Sequence, residues 1–338
     1  MLKYILKRIV YILIVAFILS FLLYVIFNCI NVDYAALRLS GQEIQLQKEG
    51  RYEEVYQAMR EKMALDEPLF MRYLYWMGLA PLHGEFNGLL QGNFGYSYNF
   101  KTDVINLIGE PLKNTVFINI FATALALGIT IPLGIFCAVK KGSRRDTAVQ
   151  IGSIIGYSIP TFIIAIVFIW FFAVILGLFP VSGMSTPNSN YTGFRAFLDK
   201  LYYMALPLIV MTFTSLGGMT RYVRSSMIEA LSMDCIRTAR AKGLKEKVVI
   251  YSHAWRNALI PIVTLVIGWF LGIFSGSLII ESMFGLNGLG KFYITALNTK
   301  DYEVAMALQM FYVILGLIGN LIIDLAYGLV DPRVRVNK

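Results

Sequence analysis

Charge is what this 338-residue chain has least of: Asp, Glu, Lys and Arg make up 15% of it against 57% hydrophobic residues, where a soluble globular domain carries about 25% charged residues. Together with a mean hydropathy of +0.63, that scarcity excludes a soluble domain of this size and indicates an integral membrane protein. Histidine and cysteine are scarce too. The two histidines, His83 and His253, fall on opposite sides of the membrane under the topology derived below and share no metal site. Cys29, Cys137 and Cys235 have neither metal-ligand spacing nor a disulfide framework, and read as apolar filler. There is no Gly-x-Ser-x-Gly elbow and no His-Glu-x-x-His, so no catalytic residue, metal or cofactor is assigned to this chain.

What is abundant is uncharged length. A membrane helix needs about 20 consecutive apolar residues, and six runs qualify: 9–30, 114–139, 147–179, 201–220, 257–280 and 304–323. The third is long enough to tilt strongly, and Pro160 inside it predicts a kink, because proline removes a backbone donor and clashes with the preceding turn. The first run is too long for a cleaved leader and is read as a retained helix, preceded by a short interfacial helix bearing Lys3 and Lys7. The chain therefore divides into residues 1–30 (interfacial helix and first span), a small extracytoplasmic insertion over 31–113, and a core over 114–338 holding the other five spans.

Basic residues set the orientation. With the N-terminus cytoplasmic, the inside segments 1–8, 140–146, 221–256 and 331–338 hold 18 of the 30 Lys and Arg, and the short outside loops hold four. The segment 31–113 holds eight, offset by 11 acidic residues, and long segments count little in this rule. Both termini are expected inside, and the net charge of +9 is a topology signal rather than a reason to invoke nucleic acid. Within 31–113 an amphipathic helix is expected near 52–65, with Val55, Met59 and Met63 on one face, followed by the aromatic stretch 70–76; both would pack on the outer ends of the spans. Residues 183–193 read as an outside loop, whose Asn190-Tyr191-Thr192 triplet is a chance glycosylation pattern.

Two sources of energy can be weighed. Gly285-Leu286-Asn287-Gly288-Leu289-Gly290-Lys291 fits seven positions of a nucleotide-binding P-loop, but Phe292 occupies the place of the magnesium-binding hydroxyl, and the string follows a membrane helix rather than a strand. It is read as a glycine-rich turn re-entering toward the bilayer. Ion coupling would leave ionisable groups inside the spans; Glu281 and Asp324 both sit at span ends, Asp324 within reach of Arg333 or Arg335, and neither makes a proton relay.

The longest polar interruption of the second half is the 36-residue segment 221–256. Residues 229–235 and 240–251 have helical composition, and Gly243 allows a tight bend between them. Such a loop could seat a short helix in a groove on a motor protein, or lie solvated against anionic headgroups; composition alone does not separate the two. Its string Arg237-Thr238-Ala239-Arg240-Ala241-Lys242-Gly243-Leu244, followed by His253-Ala254-Trp255-Arg256-Asn257-Ala258-Leu259-Ile260-Pro261, resembles the cytoplasmic coupling loop of ABC importer permeases of the oligopeptide, dipeptide and nickel group. Ala239 and Gly243 match the general motif; Arg237 stands at its Glu position and Pro261 comes five residues late, departures this group shares. Gly92-Asn93-Phe94-Gly95-Tyr96-Ser97 resembles the group's Gly-Asp-Leu-Gly-x-Ser. Glu281 with Phe284, Gly288-Leu289-Gly290 and Asp301-Tyr302 resembles its last outside loop, and Asn320, Asp324, Tyr327 and Asp331-Pro332-Arg333 its ending. Asn287 and Glu303 stand where proline is frequent.

The resemblance spans nearly the whole chain. It implies an all-α membrane protein of six helices with the type I ABC importer permease fold, in the cytoplasmic membrane of a bacterium. It implies as partners a second homologous permease, two cytoplasmic ATPases carrying ATP and magnesium, and an extracytoplasmic substrate-binding protein. Residues 237–244 would contact the ATPases, Arg237, Arg240 and Lys242 foremost. The expected cargo is an oligopeptide or dipeptide, with oligosaccharide, nickel or glutathione as alternatives in the same class and an ion-coupled transporter as the alternative outside it.

Overall fold

The computed structural model describes residues 2–30, 32–97 and 99–330. Helix α1 (Leu2–Cys29) runs unbroken, so the expected interfacial piece and the first span are one helix. Four short helices follow, α2 (Tyr34–Leu39), α3 (Glu43–Lys48), α4 (Tyr52–Lys62) and α5 (Leu69–Met77), then a two-stranded antiparallel ribbon of β1 (Tyr96–Ser97) and β2 (Thr102–Asp103). Next come α6 (Val104–Val139), α7 (Arg144–Ser158), α8 (Thr161–Phe168) with a π-helical continuation to Ile175, and α9 (Gly193–Leu231). Helix α10 (Asp234–Ala241), the single turn α11 (Glu246–Val248), a π-helical turn (Val249–Ala254) and α12 (Trp255–Gly272) lead to α13 (Leu278–Met283), α14 (Leu289–Asn298) and α15 (Tyr302–Val330).

Helices α1, α6, α9 and α15 are long and apolar enough to cross a membrane unbroken. Two bent pairs, Arg144–Ser158 with Thr161–Ile175 and Glu246–Leu259 with Pro261–Gly272, give up to six spans when each pair is counted as one broken span. The protein is thus a multi-pass, predominantly helical membrane protein. The third span is more than kinked at Pro160: Ile159 is extended and the two helices meet at 103°, because the residue before a proline is driven out of the helical region. Of the ending singled out in the sequence, residues 331–338 lie outside the described residues, as do Arg333 and Arg335 and the side chain of Tyr327.

The chain forms two compact units: the residues up to Gly109 with Thr295–Leu317, and Glu110–Ile294 with the chain from Ile318. In the first, α5 is anchored on α1 by Tyr73, which is fully buried with its ring 5.1–5.7 Å from those of Phe17, Phe21 and Tyr24 in edge-on contacts. Its hydroxyl lies 2.8 Å from Ser20 Oγ, a buried polar pair that satisfies itself as the apolar setting requires. Helix α4 covers 52–62, three residues short of the expected end, with Val55 and Met59 half-buried.

In the second unit small residues let the membrane helices approach closely. A Cβ on Gly134 of α6 would lie 2.6 Å from Val223 of α9, and one on Gly217 of α9 would lie 2.4 Å from the Ser153 carbonyl of α7. Two apolar clusters result. One gathers Ile118, Ile164, Met204, Leu206, Ile280 and Phe284; the other, around the C-terminal end of α9 and the N-terminal end of α12, gathers Val223, Met227, Ala230, Val249, Ala254 and Ala258.

Candidate functional site

The basic segment is built on that second cluster. Expected helices over 229–235 and 240–251 are replaced by a different division: α9 runs on to Leu231, the chain turns at Ser232 and Met233, and α10 takes Asp234–Ala241. The turn falls where Ser232 Oγ donates back to the Glu229 carbonyl at 2.7 Å, closing the end of α9. Ile236 and Ala239, three residues apart and so on one face of α10, are buried in the cluster with Met227, Ala230, Val249 and Ile250. This is the reason the helix has a fixed seat.

Gly243 ends it. Its φ of +76° is left-handed, its N–H donates to the Arg240 carbonyl at 2.9 Å, and the Leu244 N–H donates to the Ala239 carbonyl at 3.4 Å, a Schellman closure of the last turn. A Cβ there would meet nothing within 4 Å, so glycine is required by backbone conformation and not by a close neighbour.

What α10 presents outward is both charged and apolar. Arg237, Thr238, Arg240, Ala241 and Lys242 are exposed, and so are Met233, Leu244 and Val248. Arg237 lies 3.3 Å from Asp234, and Arg240 clasps Glu246 with Nε–Oε2 3.2 Å and Nη2–Oε1 2.6 Å. That carboxylate raises the Arg240 guanidinium above its ordinary value. Lys242 makes no ion pair among the described residues. Of the eight residues from Arg237 to Leu244, Ala239 is the one turned into the protein.

Two further constellations stand in the same unit, each built on a buried carboxylate. Asp146, 1% exposed, takes Arg224 Nε on Oδ1 and Nη2 on Oδ2, each at 2.8 Å, with the Gly142 N–H at 2.9 Å and Gln150 Nε2 at 3.0 Å. This bidentate clasp ties the start of α7 to α9 across 78 positions. Local pattern holds no signal for it beyond a charge flanking each apolar run.

The second is Glu281, which the sequence placed at a span end and in the last outside loop. It is 3% exposed and accepts from Thr115 Oγ1 at 2.9 Å, the Ser277 N–H at 3.3 Å, and the Gly290 and Lys291 N–H groups at 2.6 and 3.0 Å. The last two belong to the open first turn of α14, so the carboxylate caps that helix. A Cβ on Gly288 would sit 2.5 Å from the Glu281 carboxyl carbon; the glycine-rich string is the cradle of a carboxylate.

In the first unit the string around Gly95 meets Asp301 and Glu303. Ser97 Oγ donates to Asp301 Oδ2, the Tyr96 N–H donates to Glu303 Oε2 at 2.7 Å, and Glu303 also pairs with Arg38. Among the described residues no group of three His, Cys, Asp or Glu side chains is placed to hold a metal ion.

The geometry is that of a multi-pass helical membrane protein with an exposed basic helix seated on the ends of α9 and α12. The family description "binding-protein-dependent transport system inner membrane component" matches residues 130–336, and its N-terminal counterpart matches 1–119. The chain belongs to this family. It is 38% identical over 278 residues to the oligopeptide transport system permease protein AppB of Bacillus subtilis, covering 81% of this chain and 83% of that one. It is 31% identical to the oligopeptide transport system permease protein OppB of Haemophilus influenzae over 99% and 100% of the two chains. To the dipeptide transport system permease protein DppB of Escherichia coli it is 35% identical over 82% and 84%.

Proposed function

We propose that this chain is one of two homologous permease subunits of an ATP-driven, binding-protein-dependent importer that carries short peptides inward across the bacterial cytoplasmic membrane. The seating of α10 is the observation that carries the reading. Ile236 and Ala239 weld the helix to the inner ends of α9 and α12, while its other side offers cations beside exposed Met233, Leu244 and Val248. A solvated loop resting on headgroups needs neither the buried face nor the fixed cap.

Arg237, Thr238, Arg240, Ala241 and Lys242 would meet a groove on the ATPase subunit, Ala239 would hold the seat, and Gly243 with Leu244 would set the angle at which α10 projects. Closure of two ATPases around ATP and magnesium would then move α10, α9 and α12 as one body. The Asp146–Arg224 clasp would carry the start of α7 with them, opening a path between the two permeases. Both termini and residues 221–256 would face the cytoplasm, with 31–113 outside facing the substrate-binding protein. The peptide assignment is supported by the names of the similar permeases, two of which are described for oligopeptides and one for dipeptides.

The test is ATP-dependent uptake of a mixed peptide library by the complex reconstituted in liposomes from this chain and the neighbouring transporter genes, with and without the binding protein. Peptide uptake that needs both is the expected result. ATPase activity without peptide uptake would move the cargo to oligosaccharide, nickel or glutathione, and absence of any ATPase partner would return the chain to ion coupling. Orientation is checked separately: a cysteine replacing the exposed Glu54 should react with an impermeant thiol reagent from outside, and one replacing the exposed Lys245 should not.

A further inference from the structure

The first unit carries a half-open cavity of about 670 Å³, within the about 300–1,000 Å³ typical of small-molecule sites. Its wall is aromatic: Tyr24 from α1, Tyr34 from α2, Tyr75 and Trp76 from α5 and Tyr302 from α15. Burial pushes the Tyr34 hydroxyl up to about 12, and it donates to the Phe27 carbonyl at 2.9 Å. The charged groups of the rim are of both signs. Arg38 and Glu303 pair with each other, but Lys62, Arg72, Glu85 and Asp103 also line the cavity and form no ion pair among the described residues. Arg72 is half-buried, and its guanidinium, with five N–H groups, is held by Nη2 donating to Asn28 Oδ1 at 2.7 Å. Asn28 therefore aims Arg72 without neutralising it.

An aromatic cavity bordered by unneutralised cations and unneutralised anions suits a ligand that carries both charges on an apolar body. We propose that this cavity is a binding site for a zwitterion with an apolar side group, the chemistry shared by a short peptide and a free amino acid. Arg72 receives its carboxylate, Glu85 and Asp103 receive its ammonium group, and Tyr34, Tyr75 and Trp76 cover its side group. The site deepens the importer reading by giving the permease its own contact with cargo, and the peptide as source rests on that reading.

The experiment is calorimetric titration of the full-length chain in nanodiscs with the tripeptide Phe-Ala-Phe, its N-acetylated and C-amidated forms, free phenylalanine, and glycerophosphoethanolamine as the lipid-headgroup probe. The free tripeptide should bind, and capping either end should weaken it about tenfold. Arg72→Gln should weaken the free tripeptide about tenfold and leave the C-amidated form unchanged, a coupling that a merely structural loss would not produce. Glu85→Gln, at an exposed position, should act in the same way on the ammonium end. Free phenylalanine binding as tightly as the tripeptide supports the site and names the amino acid as its source. Equal affinity for free and capped peptides, binding of glycerophosphoethanolamine alone, or no heat with any zwitterion overturns it. Uptake by the reconstituted complex separates the two ideas: peptide import without binding here removes this site only, and binding here without peptide import removes the importer reading only.

Discussion

Asp146→Asn tests whether the clasp on Arg224 holds α7 to α9. The carboxylate takes four donors, two on each oxygen: Arg224 Nε and Gln150 Nε2 on Oδ1, Arg224 Nη2 and the Gly142 N–H on Oδ2. Asparagine keeps the shape but turns an NH2 toward one of those pairs, so Arg224 loses a charge-assisted bond whichever way the amide lies, and a second donor loses its acceptor. A bond to a charged group contributes about 1.5–3 kcal/mol, and breaking one side of a buried ion pair costs about 3–5 kcal/mol. With side-chain exposures of 1% for Asp146 and 18% for Arg224, solvent offers Arg224 partial relief, so we expect a loss of about 3 kcal/mol. Reversible unfolding of the full-length chain in mixed micelles reads it directly. Arg237→Gln is the control: that side chain is 76% exposed, and its pair should contribute under about 0.5 kcal/mol. Asp146→Asn with Arg224→Met should recover about half of the loss, because the stranded guanidinium is gone. A single variant within about 0.5 kcal/mol of the parent, or a double variant equal to the sum of its parts, refutes the clasp as a stabilising contact.

Three further outcomes follow from the geometry. Gly243→Val forces a β-branched residue to φ near +76°, costing about 1–2 kcal/mol; the chain should insert normally while uptake by the reconstituted complex falls at least tenfold with ATP hydrolysis retained, and Gly243→Asn, which tolerates that conformation, should do less damage. Uptake at the parent rate in the valine variant would remove residues 237–244 from coupling. Glu281→Ala uncaps the first turn of α14 and should speed hydrogen exchange of the Gly290 and Lys291 amides about tenfold or more, at about 1–3 kcal/mol for each buried amide left without an acceptor; unchanged exchange would mean that the carboxylate is not their partner. Gly288→Ala should destabilise by a comparable amount, since its Cβ would lie 2.5 Å from the Glu281 carboxyl carbon, and Glu281→Ala in the same chain should relieve part of that, as measured by the unfolding midpoint.

The spans were legible because apolar length is a local property, and a window of about 20 residues contains all of it. Their ends were not. Helix α9 covers Gly193–Leu231 where the uncharged run covers 201–220, since a helix continues past the membrane as long as its backbone bonds and its packing continue. Residues 221–231 include Arg221 and Arg224, yet they keep Val223, Met227 and Ala230 buried at helical spacing. Scarcity of charge was the wrong signal for that stretch and helical periodicity the right one. Gly243 was legible for the opposite reason: a left-handed turn requires a residue type that stands out in the sequence. The Asp146–Arg224 clasp was invisible, because neither residue type is rare and 78 positions separate them.

The pattern around Glu303 shows how a departure from a family's habit can be compensated. The resemblance leads to an expectation of proline there, which would stiffen the start of α15 by fixing its own φ. This chain stiffens the same place through a side chain. Glu303 accepts the Tyr96 N–H at 2.7 Å and pairs with Arg38, while Asp301 two residues earlier takes Ser97 Oγ. The cost falls on the partner loop: a Cβ on Gly95 would lie 2.8 Å from Glu303 Oε2, so the loop has to bring bare backbone to the carboxylate. Two strings that looked like separate weak matches, 92–97 and 301–303, are therefore one contact, and the glycine of the first is explained by the carboxylate of the second. A proline at 303 would free Gly95 from that close approach and remove the carboxylate that pairs with Arg38 and accepts the Tyr96 N–H.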